Sequence, residues 1–514
     1  MPILGKLVKK GLQLRQAVEH EYRQPFNLQK EQLKHLLFTA QGTQFGQHYH
    51  FDQILQAFYS TDPEAFYQAY RSLVPIHDYN KMHREWWHLC REGQKNVSWP
   101  ERIKYFALSS GTSEASSKYI PITRDMLKAI NKVSVRQILS LNQYDLPESL
   151  FQKGILMLGG STDLNRYKYG YEGDLSGITC KRMPYWFYSF YKPGHKISRE
   201  KDWAKKLDEI MLNAHKWDIG VIVGVPAWLQ MLLEKIIDHY GLNTIHDIWP
   251  NLSIFIHGGV SLTPYMKSFE RLTARPLTYI ETYLASEGFI AFQNKANFKS
   301  MQMMLNSGIF FEFVPFTERN FTADGELVSK PETLMIHQVE EGKDYALLLS
   351  SCAGAWRYLI GDVIRFTDVQ DTQIVITGRT KHFLSLCGEH LSVDNMNRAV
   401  QMLSEEMNIE INEYTVAGTK HDNLFAHHWY LAIDKPMSEE TVRQKLDEYL
   451  KYLNDDYRTE RSAALKEIKL TILPHDVFIN WMETQGKVGG QHKFPRVLKG
   501  HHLESWESFI VAAQ

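Results

Sequence analysis

The chain has 514 residues, 44% hydrophobic and 23% charged, and its 58 basic against 59 acidic side chains leave a net charge of −1. That length implies about two to four domain-sized units, and the composition excludes a disordered or fibrous chain. The charge balance excludes a global electrostatic footprint for nucleic acid, and four cysteines without a C-x-x-C pair exclude a disulfide scaffold and fit a reducing cytoplasm.

Basic residues interrupt the apolar ones between Met1 and Lys10, which argues against a signal peptide. The longest apolar stretch, Ile219 to Leu233, is broken by Pro226 and Gln230 and is too short for a bilayer span. No membrane partner is expected. Helical spacing predicts helices over Gln29–Phe38 and around Ile54–Tyr59, joined by the loop Gln41–Gly46. Arg102–Leu108 reads as a strand and Asp125–Leu141 as a helix.

Between those two lies Ser109-Ser110-Gly111-Thr112-Ser113-Glu114-Ala115-Ser116-Ser117-Lys118-Tyr119-Ile120-Pro121. Gly111 can take backbone conformations that other residues resist, so the N–H groups of a turn there converge on phosphate oxygens. Ser110, Thr112 and Ser113 add hydroxyl donors, and Lys118 adds a positive charge. No Walker pattern G-x-x-x-x-G-K-[ST] occurs. Taken alone, the segment also fits a Ser/Thr-rich surface loop.

Gly154–Gly160, Ile219–Val225 and Leu252–Gly258 are short apolar runs ending near glycines, separated by helical stretches such as Asp202–His215 and Trp228–Tyr240. Buried parallel strands have this pattern. Gly258-Gly259, after His257, either ends a strand or lets the backbone approach a base. From Gly308 to Val328 the pattern turns to antiparallel hairpins, with Phe310–Val314 as one strand and a tight turn at Asp324-Gly325. Gln373–Thr377 is a short strand. Beyond Gly378-Arg379, about 130 residues carry their own periodicity over Tyr414–Gly418, Trp429–Ile433, Glu439–Leu453 and Leu470–Leu473, enough for a second domain.

Three clusters carry chemistry. In Tyr279–Gly288, Tyr283 stands four residues before Glu287, with Ser286 and Gly288 beside it. An aromatic can stack on a base and a carboxylate can hold Mg2+ that bridges phosphates, although a capping Ser-Glu at a strand end has the same letters. In Ala355–Val363 an apolar strand ends in Gly361-Asp362, which suits a carboxylate gripping two ribose hydroxyls and equally a turn aspartate. Gly378-Arg379-Thr380-Lys381-His382-Phe383, with Gly388-Glu389-His390, reads by itself as a charged loop. The 22 histidines include His48-x-His50, His427-His428 and His501-His502, without a third ligand at a metal spacing. The aromatic run Tyr185–Tyr191 reads as packing.

The order of these clusters resembles the acyl-adenylate-forming superfamily and, within it, the Gretchen Hagen family of acyl acid amido synthetases, over essentially the whole chain. Ser109 to Ser113 with Lys118 and Pro121, Tyr283 to Glu287, Arg357 with Gly361-Asp362-Val363, and Gly486-Lys487-Val488-Gly489-Gly490-Gln491-His492-Lys493-Phe494-Pro495-Arg496 carry the resemblance. It implies an α/β fold, with a large adenylate-forming N-terminal domain of mixed sheets and helices over residues 1–378. A small mobile α+β C-terminal domain over 379–514 would follow a hinge near 378–382.

The resemblance also implies roles. Ser109, Ser110, Gly111, Thr112 and Ser113 would hold the ATP phosphates, Tyr283 the adenine side with Ser286 beside it, Glu287 Mg2+, and Asp362 the ribose hydroxyls. Arg379 would serve as hinge and nucleotide contact, and Lys493, rather than Lys487, would reach the substrate carboxylate and the α-phosphate. The function implied is an ATP-dependent ligase that forms an acyl-adenylate from a carboxylic acid and passes the acyl group to an amino acid amine. The alternatives are a ligase that uses coenzyme A as acceptor and a nucleotide-binding regulatory protein without turnover.

Overall fold

In the computed structural model, residues 24–513 are described apart from 113–114, 145, 184–186, 260–261, 263–264, 297–298, 323–324, 381–382, 390, 412, 423 and 486–493, together with the side chains of 110–117, 148, 383, 394, 483 and 513. The residues group into two compact units: Met1–Leu108 with Tyr119–Thr380, and Ser109–Lys118 with Lys381–Gln514. The α/β class expected from the sequence is the class observed.

The larger unit begins with the helix Pro25–Ala40. Proline at its first position has the backbone angle a helix needs, and Leu33, Leu36, Leu37 and Ala40 fall at helical spacing and are all fully buried. Thr43 caps the next helix, Gln44–His48, by accepting from the Gly46 N–H. A small sheet follows, built from β1 (Tyr105–Thr112), β2 (Ala115–Ile122), β4 (Asn165–Tyr167) and β5 (Gly170–Gly173), with β3 (Gly154–Met157) belonging elsewhere; its order is β2-β1-β5-β4. The backbone of Ser109 to Thr112 is therefore the end of a strand rather than a loop, because β1 runs on past Leu108 to pair in a hairpin with β2.

The main sheet has eleven strands. It adds to β3 the strands β6 (Tyr191–Lys192), β7 (Ile219–Val223), β8 (Ile254–Gly258), β9 (Thr278–Ala285), β10 (Gly288–Phe292), β11 (Met301–Met303), β12 (Ile309–Pro315), β13 (Asp344–Ser351), β14 (Ala355–Asp368) and β15 (Gln373–Arg379). One half, β6-β3-β7-β8-β9, is parallel; the helix Pro226–Tyr240 makes one crossover, and the apolar strands β7 and β8 are largely buried, as parallel strands are. The other half, β9-β10-β11-β15-β14-β13-β12, is antiparallel.

Two expectations change here. The partner of β12 is β13, with Ile309 opposite Ser351, and not a segment before Val328; among the described residues of Gly308–Val328 the pairing is the bridge Phe321–Leu327, flanked by Thr322 N–H donating to the Glu326 carbonyl and Val328 N–H to that of Asn320. Residue 324 of the expected turn lies outside the described residues, and Gly325 has φ 76°. Nor does a strand end at Gly361-Asp362: β14 continues through both to Asp368, because glycine accepts the φ of 92° that position 361 requires.

The second unit has a sheet of β18 (Tyr414–His421), β19 (Leu424–Ala432), β20 (Leu465–Leu473) and β21 (Val497–Leu498), preceded by the short ribbon β16 (Phe383–Leu384) and β17 (Leu391–Ser392). Helices such as Val393–Met407 and Glu439–Leu453 accompany it, and Phe478, Trp481, Phe494 and Trp506 form an aromatic core.

Candidate functional site

The parallel half of the main sheet gives way to the antiparallel half at β9, and open α/β sheets bind ligands outside the C-terminal ends of their parallel strands. That end of β9 carries Tyr283. Ser286 and Glu287 form the two-residue turn that joins β9 to β10, closed by Ala285 opposite Gly288. Gly288 has φ 146°, and a Cβ there would lie 2.7 Å from Ile309 Cδ1, so the turn has glycine at its exit by necessity. Ser286 is half-buried, whereas Glu287 is only 7% exposed despite standing in a turn.

Tyr283 donates its hydroxyl to Asp362 Oδ2 at 2.5 Å, and Arg379 Nε donates to Asp362 Oδ1 at 2.5 Å. Asp362 and Arg379 are register partners on β14 and β15, so their meeting follows from strand pairing. Tyr283 is four strand steps away in the sheet order, which in a flat sheet amounts to about 19 Å, beyond the reach of a tyrosine and an aspartate together. The antiparallel half is therefore strongly curled, bringing β9 against β14. Burial, reinforced by the Asp362 charge, pushes the Tyr283 phenol well above its usual range and keeps it a donor. Burial opposes the Arg379 charge, but the Asp362 carboxylate outweighs it and holds the guanidinium protonated. An ionised carboxylate has about four acceptor positions. Among the described residues, two of those of Asp362 are used, by Tyr283 and Arg379.

Glu287 accepts a hydrogen bond from Tyr358 on β14 and acts electrostatically on Tyr283 and Arg379. Two carboxylates and one guanidinium thus lie in one polar cluster. Among the described residues no group of three or more His, Cys, Asp or Glu side chains gathers as a metal site. Glu287 alone fits Mg2+ in the way that ion takes one or two carboxylates and completes its shell with phosphate oxygens and water.

Of the residues singled out from the sequence, the structure brings together Tyr283, Glu287, Asp362 and Arg379, with Ser286 in the adjoining turn. Ser109 is half-buried on β1. The side chains of Ser110 and Thr112, residue Gly111 beyond its backbone, and Ser113, Lys487 and Lys493 altogether lie outside the described residues. Gly258 is explained by packing alone, since a Cβ there would lie 2.3 Å from the Thr282 carbonyl oxygen.

Arg357 stands apart from the cluster. Its side chain is 5% exposed and is paired with Glu312, 1% exposed, at 2.9 Å; it also donates to the carbonyls of Val74 and Arg71 and to Thr333 Oγ1. This motif residue fastens the N-terminal helices to the sheet. Tyr358 as the partner of Glu287 had no sequence signal, since an apolar strand reads the same with or without that bond.

Comparison with known proteins follows the same lines. Three family models match in chain order: the GH3 family N-terminal domain over residues 14–172, the GH3 family central domain over 302–379 and the GH3 family C-terminal domain over 394–502. Indole-3-acetic acid-amido synthetase GH3.2 of Arabidopsis thaliana is 27% identical over 239 residues, 43% of each chain. Indole-3-acetic acid-amido synthetase GH3.3 of the same plant is 24% identical over 273 residues, 49% of this chain and 44% of the relative. The chain thus spans less than half the length of these curated relatives. Among solved structures, GH3.15 acyl acid amido synthetase superposes with a TM-score of 0.55 at 16% identity, covering 94% of this chain and 93% of that one. A 2-hydroxyisobutyryl-CoA ligase superposes with a TM-score of 0.57 at 11% identity, covering 94% and 91%. At such identities the likeness is one of fold. With models for its N-terminal, central and C-terminal domains matched in order, the chain belongs to the GH3 family.

Proposed function

We propose that this protein is an ATP-dependent acyl acid amido synthetase, and the observation that carries the proposal is the hydrogen-bonded Tyr283–Asp362–Arg379 cluster at the C-terminal edge of the parallel strands, with buried Glu287 beside it. In the first step a carboxylate oxygen of the acid attacks the α-phosphorus of ATP; a new O–P bond forms and pyrophosphate leaves. In the second, an amino acid nitrogen attacks the acyl carbon, a C–N bond forms, and AMP departs with the former carboxylate oxygen while the amine gives up a proton.

Asp362, fixed by Tyr283 and Arg379, would accept from both ribose hydroxyls, with Tyr283 on the adenine side. Ser286 lines the nucleotide edge. The segment Ser109, Ser110, Gly111, Thr112 and Ser113 binds the phosphates. Arg379 and Lys493 supply positive charge as it builds on the phosphate and carboxylate oxygens, where preorganised groups lower a barrier by several kcal/mol. Glu287 holds Mg2+, which offsets phosphate charge when bound. The segment near 378–382 would be the hinge between residues 1–378 and 379–514, whose movement would open a path for the amine.

An amine acceptor is favoured because the curated relatives are named amido synthetases. Four free, buried cysteines support placement in the reducing cytoplasm, and among the described residues no helix is long and apolar enough to cross a membrane. A library of carboxylic acids with ATP, assayed for pyrophosphate release and then with amino acids or coenzyme A as acceptor, tests the proposal. It predicts acid-dependent release and an amide product. Thioester alone would assign the coenzyme A ligase, and no release with any acid would assign a non-catalytic nucleotide binder.

A further inference from the structure

His257 is the penultimate residue of β8, at the same edge of the sheet as Tyr283. It is only 6% exposed, and among the described residues its buried Nδ1 has no hydrogen-bond partner. A buried polar atom left unpaired is costly, so a bound molecule that supplies a partner to Nδ1 gains from it.

Register fixes where the ring lies. His257 is opposite Glu281 and Phe255 opposite Tyr279 on β9. Residues two apart on a strand share a face, so His257, Phe255, Glu281, Tyr279 and Tyr283 all project from one side of the sheet. One strand spacing across and two residues along place the backbones of His257 and Tyr283 about 8 Å apart. The imidazole packs against Phe255 with ring centroids 5.5 Å apart, and Phe255 in turn packs against Phe269 and Tyr279. Burial lowers the His257 pKa to about 4, so the ring is neutral at neutral pH and can donate or accept according to tautomer. An aromatic surround that also holds the Glu281 carboxyl opposite the neutral imidazole suits a ring-sized acid bearing one hydrogen-bonding substituent.

We propose that His257 is a specificity-determining residue whose Nδ1 hydrogen-bonds a hydroxyl or ring N–H of the acyl substrate, selecting apolar carboxylic acids that carry one such group over those without it. The inference rests on the proposed amido synthetase activity. Its neighbour Tyr283 belongs to the proposed nucleotide cluster, and His257 lies beside it, one strand further into the parallel half.

The test compares matched acids in pyrophosphate release: 4-hydroxyphenylacetic against phenylacetic acid, and indole-3-acetic against naphthalene-1-acetic acid. Wild-type protein is expected to favour the polar member of its better pair by about tenfold or more in kcat/KM, because a site built to pair a hydroxyl or N–H discriminates against the analogue that leaves it unpaired. His257→Phe should reduce that preference to within about threefold while changing the KM for ATP by less than about twofold, and His257→Asn, which keeps a hydrogen-bonding side chain, should retain part of it. Thermal melting of each variant separates these effects from unfolding. Wild type indifferent to the polar group, or His257→Phe unchanged in preference, overturns the inference. A raised KM for ATP with the acid preference intact also overturns it and assigns the imidazole to the nucleotide. Absence of pyrophosphate release by wild type with every acid defeats the underlying activity, and is seen before any variant is made.

Discussion

Arg379 and Asp362 face each other across β14 and β15, joined at 2.5 Å from Nε to Oδ1, while Tyr283 holds the other carboxylate oxygen. Both donors leave the carboxylate with further acceptor capacity, which the proposed function assigns to the ribose. Asp362→Asn should therefore weaken ATP binding by about tenfold or more, the loss of hydrogen bonds to a charged acceptor, with a melting temperature close to wild type. Titration of ATP by intrinsic fluorescence measures it. Unchanged affinity in a folded variant would remove Asp362 from the site.

Glu287→Gln preserves shape and removes charge. The Mg2+ concentration for half-maximal pyrophosphate release should rise by about tenfold, equivalent to roughly 1.4 kcal/mol of ion binding. A Mg2+ titration showing the wild-type midpoint with reduced turnover would give Glu287 a role other than the metal.

The two half-reactions separate at the C-terminal lysines. Lys493→Ala should lose acid-dependent pyrophosphate exchange by about 100-fold or more, the scale of removing one preorganised charge-stabilising group, and still turn a supplied acyl-adenylate and an amino acid into amide. Equal loss in both steps would count against an adenylation lysine at 493. No loss in either would move the role to Lys487 or beyond this segment.

The division between units falls between Thr380 and Lys381. Limited proteolysis of the free protein should cut near residues 380–382, since few contacts cross an interdomain linker, and ATP plus acid should slow the cut. Equal rates with and without ligands would argue against a ligand-coupled hinge.

In the second unit Glu389 is fully buried and bonds His427 at 2.8 Å and the N–H groups of Leu386 and Cys387. Burial opposes its charge, but these donors outweigh it and hold its pKa down to about 2. An acid group lowered on folding stabilises the fold above its ordinary pKa, so this contribution, on the order of 3 kcal/mol, is complete above about pH 4.5 and disappears as pH falls through about 2. Glu389→Gln should destabilise at neutral pH and flatten the acid limb of a stability-against-pH curve; a parallel, merely lowered curve would contradict the linkage.

Tyr283, Glu287, Asp362 and Arg379 were legible because each stands in a short run of neighbours whose chemistry shows locally. So were the parallel strands, whose continuous apolar runs need no partner to be recognised. The pairing of β12 with β13 was not, because it joins segments separated by a long excursion. Arg357 stood among the residues that carry the resemblance, and its structural role was not legible because the sequence does not display Glu312, Val74 or the helices that enclose it. His257 went unremarked except as the residue before two glycines, since only its burial reveals that Nδ1 lacks a partner.

The acyl-adenylate itself is tested most directly by oxygen transfer. With an acid labelled by 18O in its carboxylate, ATP and an amino acid acceptor, the proposed chemistry places one label atom in the AMP released and one in the amide, read by mass spectrometry. Unlabelled AMP, or label in inorganic phosphate alongside ADP, would contradict attack of the carboxylate on the α-phosphorus.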